Sequence, residues 1–170
     1  MIALSVFLGG PPFAFRWNIG GLPALQVSFQ LTPVALCGFL FGPLAALLAG
    51  AASDLIRAVL FPMGAYVPWF TIVFALMAAA PAFACKLFFR RAGERGYAYW
   101  QMTIGFLVAQ FLFSTIANTL LISLLYGNAV ALLLPTRIVS LAMAFAHALA
   151  VKLIAEALRR SRLMTPSTNR

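Results

Sequence analysis

The longest apolar runs of this chain do not alternate. Ala129–Leu134 is wholly apolar and Ser140–Ala150 is rich in Ala and Leu, whereas a membrane barrel strand alternates apolar and polar residues. Inside hydrocarbon every backbone N–H and C=O must be satisfied within its own element, so helices or a closed barrel are the only spanning structures. The missing alternation leaves helices. Composition says that hydrocarbon is the relevant solvent: 64% of the 170 residues are hydrophobic and 9% are charged, with a mean hydropathy of +0.99. Soluble domains are about 45–50% apolar and about 25% charged. Here the outside must be apolar as well as the inside. The expectation is an all-α, polytopic integral membrane protein.

The net charge of +9 does not indicate nucleic acid, because of where the bases lie. Lys86, Arg90, Arg91 and Arg95 share one short loop, and Lys152, Arg159, Arg160, Arg162 and Arg170 lie towards the C-terminus. That is the distribution of the positive-inside rule. Cys37 and Cys85 stand in apolar surroundings outside any ligand cluster, as small hydrophobes do.

Pro and Gly divide the chain into six helices. Met1–Leu8 reaches only about 12 Å at 1.5 Å per residue, short of a core about 30 Å thick. It reads as the C-terminal half of a short first helix whose earlier part is missing. Gly9–Gln30 reads as a long loop containing Arg16. Thr32 is placed as the N-cap and Pro33 as the first residue of helix 2, which ends near Phe41. Pro43 opens helix 3, which reaches Phe61, and Pro62–Pro68 is a second loop. Helix 4 covers Trp69–Phe89, with a kink expected at Pro81. After the basic loop Arg90–Gly96, helix 5 covers Tyr97–Tyr126. Gly127–Pro135 turns the chain, and helix 6 runs from Pro135 to Arg160. Residues 1–162 are read as one transmembrane domain and 163–170 as a polar C-terminal tail. Six helices put both termini on one side, and the basic ends make it the cytoplasmic side of a bacterial plasma membrane. The loops at 9–30, 62–68 and 127–135 then face outward.

Polar residues inside such a chain carry the functional information, since an intramembrane ionisable group is expensive to keep. Asp54 can reach Arg57 at i,i+3, or Arg137 at the start of helix 6; either pairing would be structural. Gln110, Ser114 and Asn118 form one stripe of helix 5, with Thr115, Thr119 and Ser123 beside it. Their plain reading is helix–helix hydrogen bonding. His147 reads as a hydrogen-bonded core residue. Tyr66, Trp69 and Tyr126 suit an interfacial aromatic belt. All but His147 gather towards the outward half, and a concave aromatic site with a few aimed polar groups is how small ligands are held. On helix 3, Gly42, Ala46 and Gly50, and beside them Ala45, Ala49 and Ser53, recur at four-residue spacing. Such small faces let another helix approach closely, and partner docking is the expected use. The chain carries no phosphate-binding loop and no nucleophile elbow, and few residues suited to acid–base chemistry. A non-enzyme that depends on an outside source of energy is the expectation, with no metal or cofactor.

The segments Val27–Gly38, Phe41–Leu44, Ala49–Leu55, Phe61–Thr71, Asn118–Gly127 and Leu134–Ile138 together resemble S components of energy-coupling factor (ECF) vitamin transporters, in their folate-type group. The resemblance runs through most of residues 27–140 in order and spacing. It departs from the pattern in the short first helix, in Trp69 where Gly is usual, and in Ser140–Leu141 after Arg137. It implies a six-helix membrane bundle that binds a vitamin, folate or a related pterin, at the outer face. It also implies delivery with a transmembrane coupling subunit and two ATPase subunits. Arg16, Phe29, Asp54, Trp69, Phe70, Asn118, Tyr126 and Arg137 are then the candidate substrate-binding residues. Trp69 or Phe70 would stack on a pterin, Asp54 or Asn118 would meet its amide edge, and Arg16 or Arg137 its carboxylates. The alternative is a membrane scaffold, similar to small subunits of cell-wall elongation complexes, in which the same polar residues only join helices.

Overall fold

A computed structural model describes the backbone apart from residues 12, 20, 21, 63–65, 90–96, 127–129 and 161–170; it describes the side chains apart from these and residues 16–19, 22–26, 125, 126, 130–136 and 159. The chain runs α1 (Ile2–Leu8), β1 (Phe15–Ile19), β2 (Leu22–Val27), α2 (Leu31–Phe41), α3 (Pro43–Leu60), α4 (Pro68–Phe88) and α5 (Tyr99–Ala109). A π-helical segment (Gln110–Ala117) leads without interruption into α6 (Asn118–Tyr126), and α7 (Val130–Arg160) follows. Since α5, the π segment and α6 form one rod, the helical part is the expected six-rod bundle. The rods at Pro43–Leu60, Pro68–Phe88, Tyr99–Leu124 and Arg137–Leu158 are long and apolar enough to cross a membrane.

The short helix α2 sits at the centre. Every residue from Leu31 to Gly38 is buried, and a helix that is apolar all round belongs in an interior. Leu31, Val34, Ala35 and Leu36 form the core with Ala78 of α4, Met102 and Phe106 of α5, and Ala144, Ala148 and Val151 of α7. The outer surfaces carry bare apolar side chains: Leu44, Leu48 and Val59 on α3, Phe83 and Leu87 on α4, and Ile138 on α7 are all exposed. That is the inside-and-outside apolarity demanded by a lipid solvent. A single residue turns α2 into α3: Gly42 has φ 106°, a conformation that L side chains rarely adopt, and Pro43 supplies the preset φ of a first helical residue. Pro81 lies buried inside α4, which continues through it to Phe88.

Several expectations need correction. The long loop Gly9–Gln30 contains an antiparallel hairpin, with Phe15 opposite Val27 and a register irregularity at Trp17/Asn18; the hairpin leans through β2 on α7. Thr32 is not an N-cap. Helix α2 starts at Leu31 behind Gln30, and the Thr32 hydroxyl pairs instead with His147 Nδ1 at 2.9 Å. Helix α7 begins at Val130 rather than Pro135, so Arg137 stands in its second to third turn. The small face of α3 is used within the subunit. Ala46, Gly50 and Ser53 are buried, and a Cβ on Gly50 would lie 2.9 Å from Ala78 Cβ and 3.2 Å from Ala75 Cα. Gly38 meets Ala82 and Ala46 just as tightly. Helix α4 and helix α2 therefore occupy the Ala46, Gly50 and Ser53 part of the surface that spacing assigned to an outside partner. Of the remaining members, Ala49 packs on the core, and Gly42 and Ala45 are half-buried. The basic loop 90–96 and the C-terminal tail lie outside the described residues.

Candidate functional site

Two groups of polar side chains buried in the bundle differ in how many of their atoms have partners among the described residues: in the first Arg57 Nε has none, in the second several atoms have none. The first joins α3 to α4. Asp54 is 5% exposed. Its Oδ1 accepts a hydrogen bond from Arg57 Nη2 at 2.9 Å, and its Oδ2 accepts one from Thr71 Oγ1 at 2.7 Å. Tyr66 OH lies 2.8 Å from the same Thr71 oxygen. Thr71 has one hydroxyl hydrogen and gives it to Asp54, so Tyr66 must be the donor to Thr71. The result is a chain from Tyr66 through Thr71 to Asp54, closed from the other side by Arg57. Of the two ion pairs open to Asp54, the structure forms the one with Arg57. Both carboxylate oxygens are engaged, so Asp54 serves as a fastener of α3, the following loop and α4.

The second group lies along the π segment, α6 and the N-terminal part of α7. Thr115 Oγ1, Asn118 Oδ1, Thr119 Oγ1 and, on α7, Arg137 Nε and Nη2 are buried with no hydrogen-bond partner among the described residues. Helix α7 packs against both the π segment and α6, so the elements that carry these atoms are neighbours. Arg137 is 5% exposed. A buried donor or acceptor without a partner costs about 1–3 kcal/mol, and more when charged. Native chains rarely keep several in one place. A guanidinium is a fork of five donors suited to a carboxylate, an amide oxygen accepts, and a hydroxyl does either. No group of His, Cys, Asp and Glu among the described residues could hold a metal ion.

The other candidates are placed as follows. Phe29 is 41% exposed and meets the His147 ring edge-on at 5.7 Å. His147 is the buried, hydrogen-bonded core residue expected, stacked on Phe106 at 5.8 Å. Trp69 is 59% exposed on the first turn of α4, beside half-buried Phe70. Arg16 lies on β1 and Tyr126 ends α6; their side chains lie outside the described residues. Thr71, Thr115 and Thr119 were not among the candidates. For Thr71 no signal existed, since its partner lies seventeen residues away. For Thr115 and Thr119 the stripe was visible, but not the lack of partners.

Comparison with known proteins gives a consistent picture. Residues 2–160 match the family model described as ECF-type riboflavin transporter, S component. The folate transporter FolT of Clostridium novyi (strain NT) is 33% identical over 130 residues, covering 76% of this chain and 72% of that protein. The crystal structure of FolT bound with folic acid superposes with a TM-score of 0.70 at 24% identity, over 92% of this chain and 88% of the other. The S component of a bacterial ECF transporter gives 0.66 at 20% identity, over 94% and 90%. At those identities the two structures speak for the fold.

Proposed function

This chain belongs to the S-component family of ECF-type transporters, the membrane subunits that bind a vitamin for uptake with an ECF module, and from that premise we propose that its own ligand is folate or a closely related pterin. The family description names riboflavin and the curated relative names folate, so the choice falls to the site. The observation that carries it is Arg137, a buried guanidinium with Nε and Nη2 unpartnered. Asp54, the acid that the sequence offered as its partner, is already engaged by Arg57 and Thr71. A buried cation without a counter-charge among the described residues calls for an anionic ligand. Folate carries two carboxylates, whereas riboflavin is neutral. Asn118 would meet the pterin edge, and exposed Trp69 and Phe29 offer stacking surfaces.

The chain has no nucleotide-binding motif of its own, so uptake draws on partners: a transmembrane coupling subunit and two ATPases. Both ends then lie in the cytoplasm, a reading supported by the bases in the sequence of 90–96 and of the C-terminal region, with ligand entering from outside a bacterial plasma membrane. A cysteine introduced at Gly93 should react with an impermeant maleimide only after cells are permeabilised, the native Cys37 and Cys85 being buried.

A thermal-shift comparison of purified protein tests the ligand. A ligand that binds only the folded state stabilises it by about 2.7 kcal/mol at a hundred times its Kd. Folic acid should raise Tm in this way at concentrations where riboflavin does not. A rise with riboflavin alone would replace folate as the ligand.

A further inference from the structure

The long rod α5–π–α6 contains two kinds of buried threonine. Thr103, in its α-helical part, donates to the carbonyl of Tyr99 at 2.9 Å, the ordinary way for a buried helical hydroxyl to satisfy itself. Ser53 on α3 does likewise to Gly50 O at 3.0 Å. Thr115 and Thr119 do not: their hydroxyl oxygens are buried without a partner. What separates Thr103 from them is the π segment Gln110–Ala117, eight residues of i→i+5 turns that end with Asn118 N–H on Phe113 O. A π turn usually interrupts a helix for a single turn, and often at a functional site. Each residue added to a turn swings everything beyond it by about 100° about the axis, so the segment re-aims Thr115, Asn118 and Thr119 relative to Thr103.

We propose that the π segment builds a ring-reading edge from Thr115, Asn118 and Thr119, which recognises the alternating N–H and C=O edge of a pteridine-type ring. Asn118 Oδ1 accepts, and each threonine hydroxyl donates or accepts, the complement of such an edge. Arg137, on the helix packed against this rod, handles the anionic tail. This assignment rests on the ligand-binding reading of the family but not on folate, because the ring of riboflavin presents the same kind of edge. Thr119 is 5% exposed, too buried to be a surface hydroxyl.

Valine replaces threonine with nearly the same shape and no hydroxyl, so Thr115→Val and Thr119→Val are the test, read by Kd for folic acid and riboflavin and by Tm of ligand-free protein. For whichever of the two wild-type protein binds, each substitution should weaken binding about tenfold and the pair about a hundredfold. Ligand-free Tm should stay level or rise, since the variants remove an unsatisfied buried hydroxyl. If wild type binds riboflavin and not folic acid, the folate reading falls while the same losses, now for riboflavin, uphold this one. Unchanged affinity in the double variant overturns it. So does a fall in ligand-free Tm that matches the fall in affinity, which would make the hydroxyls helix–helix contacts. Binding of neither compound by wild type also overturns it, because both present the edge in question.

Discussion

At Asp54 both carboxylate oxygens have partners within the subunit, though Arg57 Nε beside them has none, while on the π segment, α6 and α7 two nitrogens of the Arg137 guanidinium, an amide oxygen and two hydroxyls have none among the described residues. The first region lies on helices that approach to glycine–alanine distance, as at Gly50 against Ala78. The second lies where regular helix gives way to π turns. Polarity inside a membrane therefore has two uses here. On α3 and α4 it holds the frame together, and on the π segment, α6 and α7 the proposed use is binding a ligand. Satisfaction, more than polarity, distinguishes them.

Four substitutions probe the frame. The largest effect is expected from Gly50→Leu, which drives a side chain into Ala75 and Ala78. It should cost about 3 kcal/mol or more, seen as lost monodisperse protein in size-exclusion chromatography; a normal elution profile and Tm would mean that α3 and α4 are not tightly closed. Asp54→Asn should cost about 2 kcal/mol through its charged hydrogen bonds, with folic acid affinity held within about twofold. Loss of affinity at unchanged Tm would move Asp54 from the frame to the ligand. Thr32→Val takes the partner from His147 and should lower stability by about 1–2 kcal/mol; a Tm equal to wild type would show that the 2.9 Å contact contributes nothing. The smallest effect belongs to Tyr66→Phe, which removes the outermost donor of the chain to Asp54. About 0.5–1 kcal/mol is expected, and additivity with Asp54→Asn in a double-mutant cycle would show that the two do not belong to one network.

The frame was far more legible in the sequence than the site. Pro43 and Pro68 mark the starts of α3 and α4, because a proline at a first helical position has little to lose, and the observed helices begin at or within a residue of expectation. The small-residue stripe of α3 was also real. Spacing alone says that a helix comes close, but not whether it belongs to the same chain, and α4 and α2 turned out to be the ones. The hairpin Phe15–Val27 was hidden by its Gly and Pro content, which signals turns more strongly than strands. Thr32 looked like a cap because it precedes Pro33; its true partner, His147, is 115 residues away. No residue pattern announced the π segment, since it changes turn width rather than composition. For the same reason the stripe Gln110, Ser114, Asn118 shares only Asn118 with the unpartnered group, whose threonines stood in the neighbouring stripe.

Arg137 separates the two regions most directly. It is the charged member of the unsatisfied group, and its removal should be felt by the ligand and not by the fold. The measurement is the Kd for folic acid by isothermal titration, taken with the Tm of ligand-free protein, for wild type, Arg137→Lys and Arg137→Ala. Lys keeps charge but loses the bidentate fork, so affinity should fall about tenfold in Arg137→Lys and about a hundredfold or more in Arg137→Ala. Ligand-free Tm should be unchanged or higher in Arg137→Ala, because an uncompensated buried charge has been removed. A lowered Tm with affinity retained would contradict the account, placing Arg137 in the frame with Asp54 and leaving the junction of the π segment, α6 and α7 without its anion-binding group.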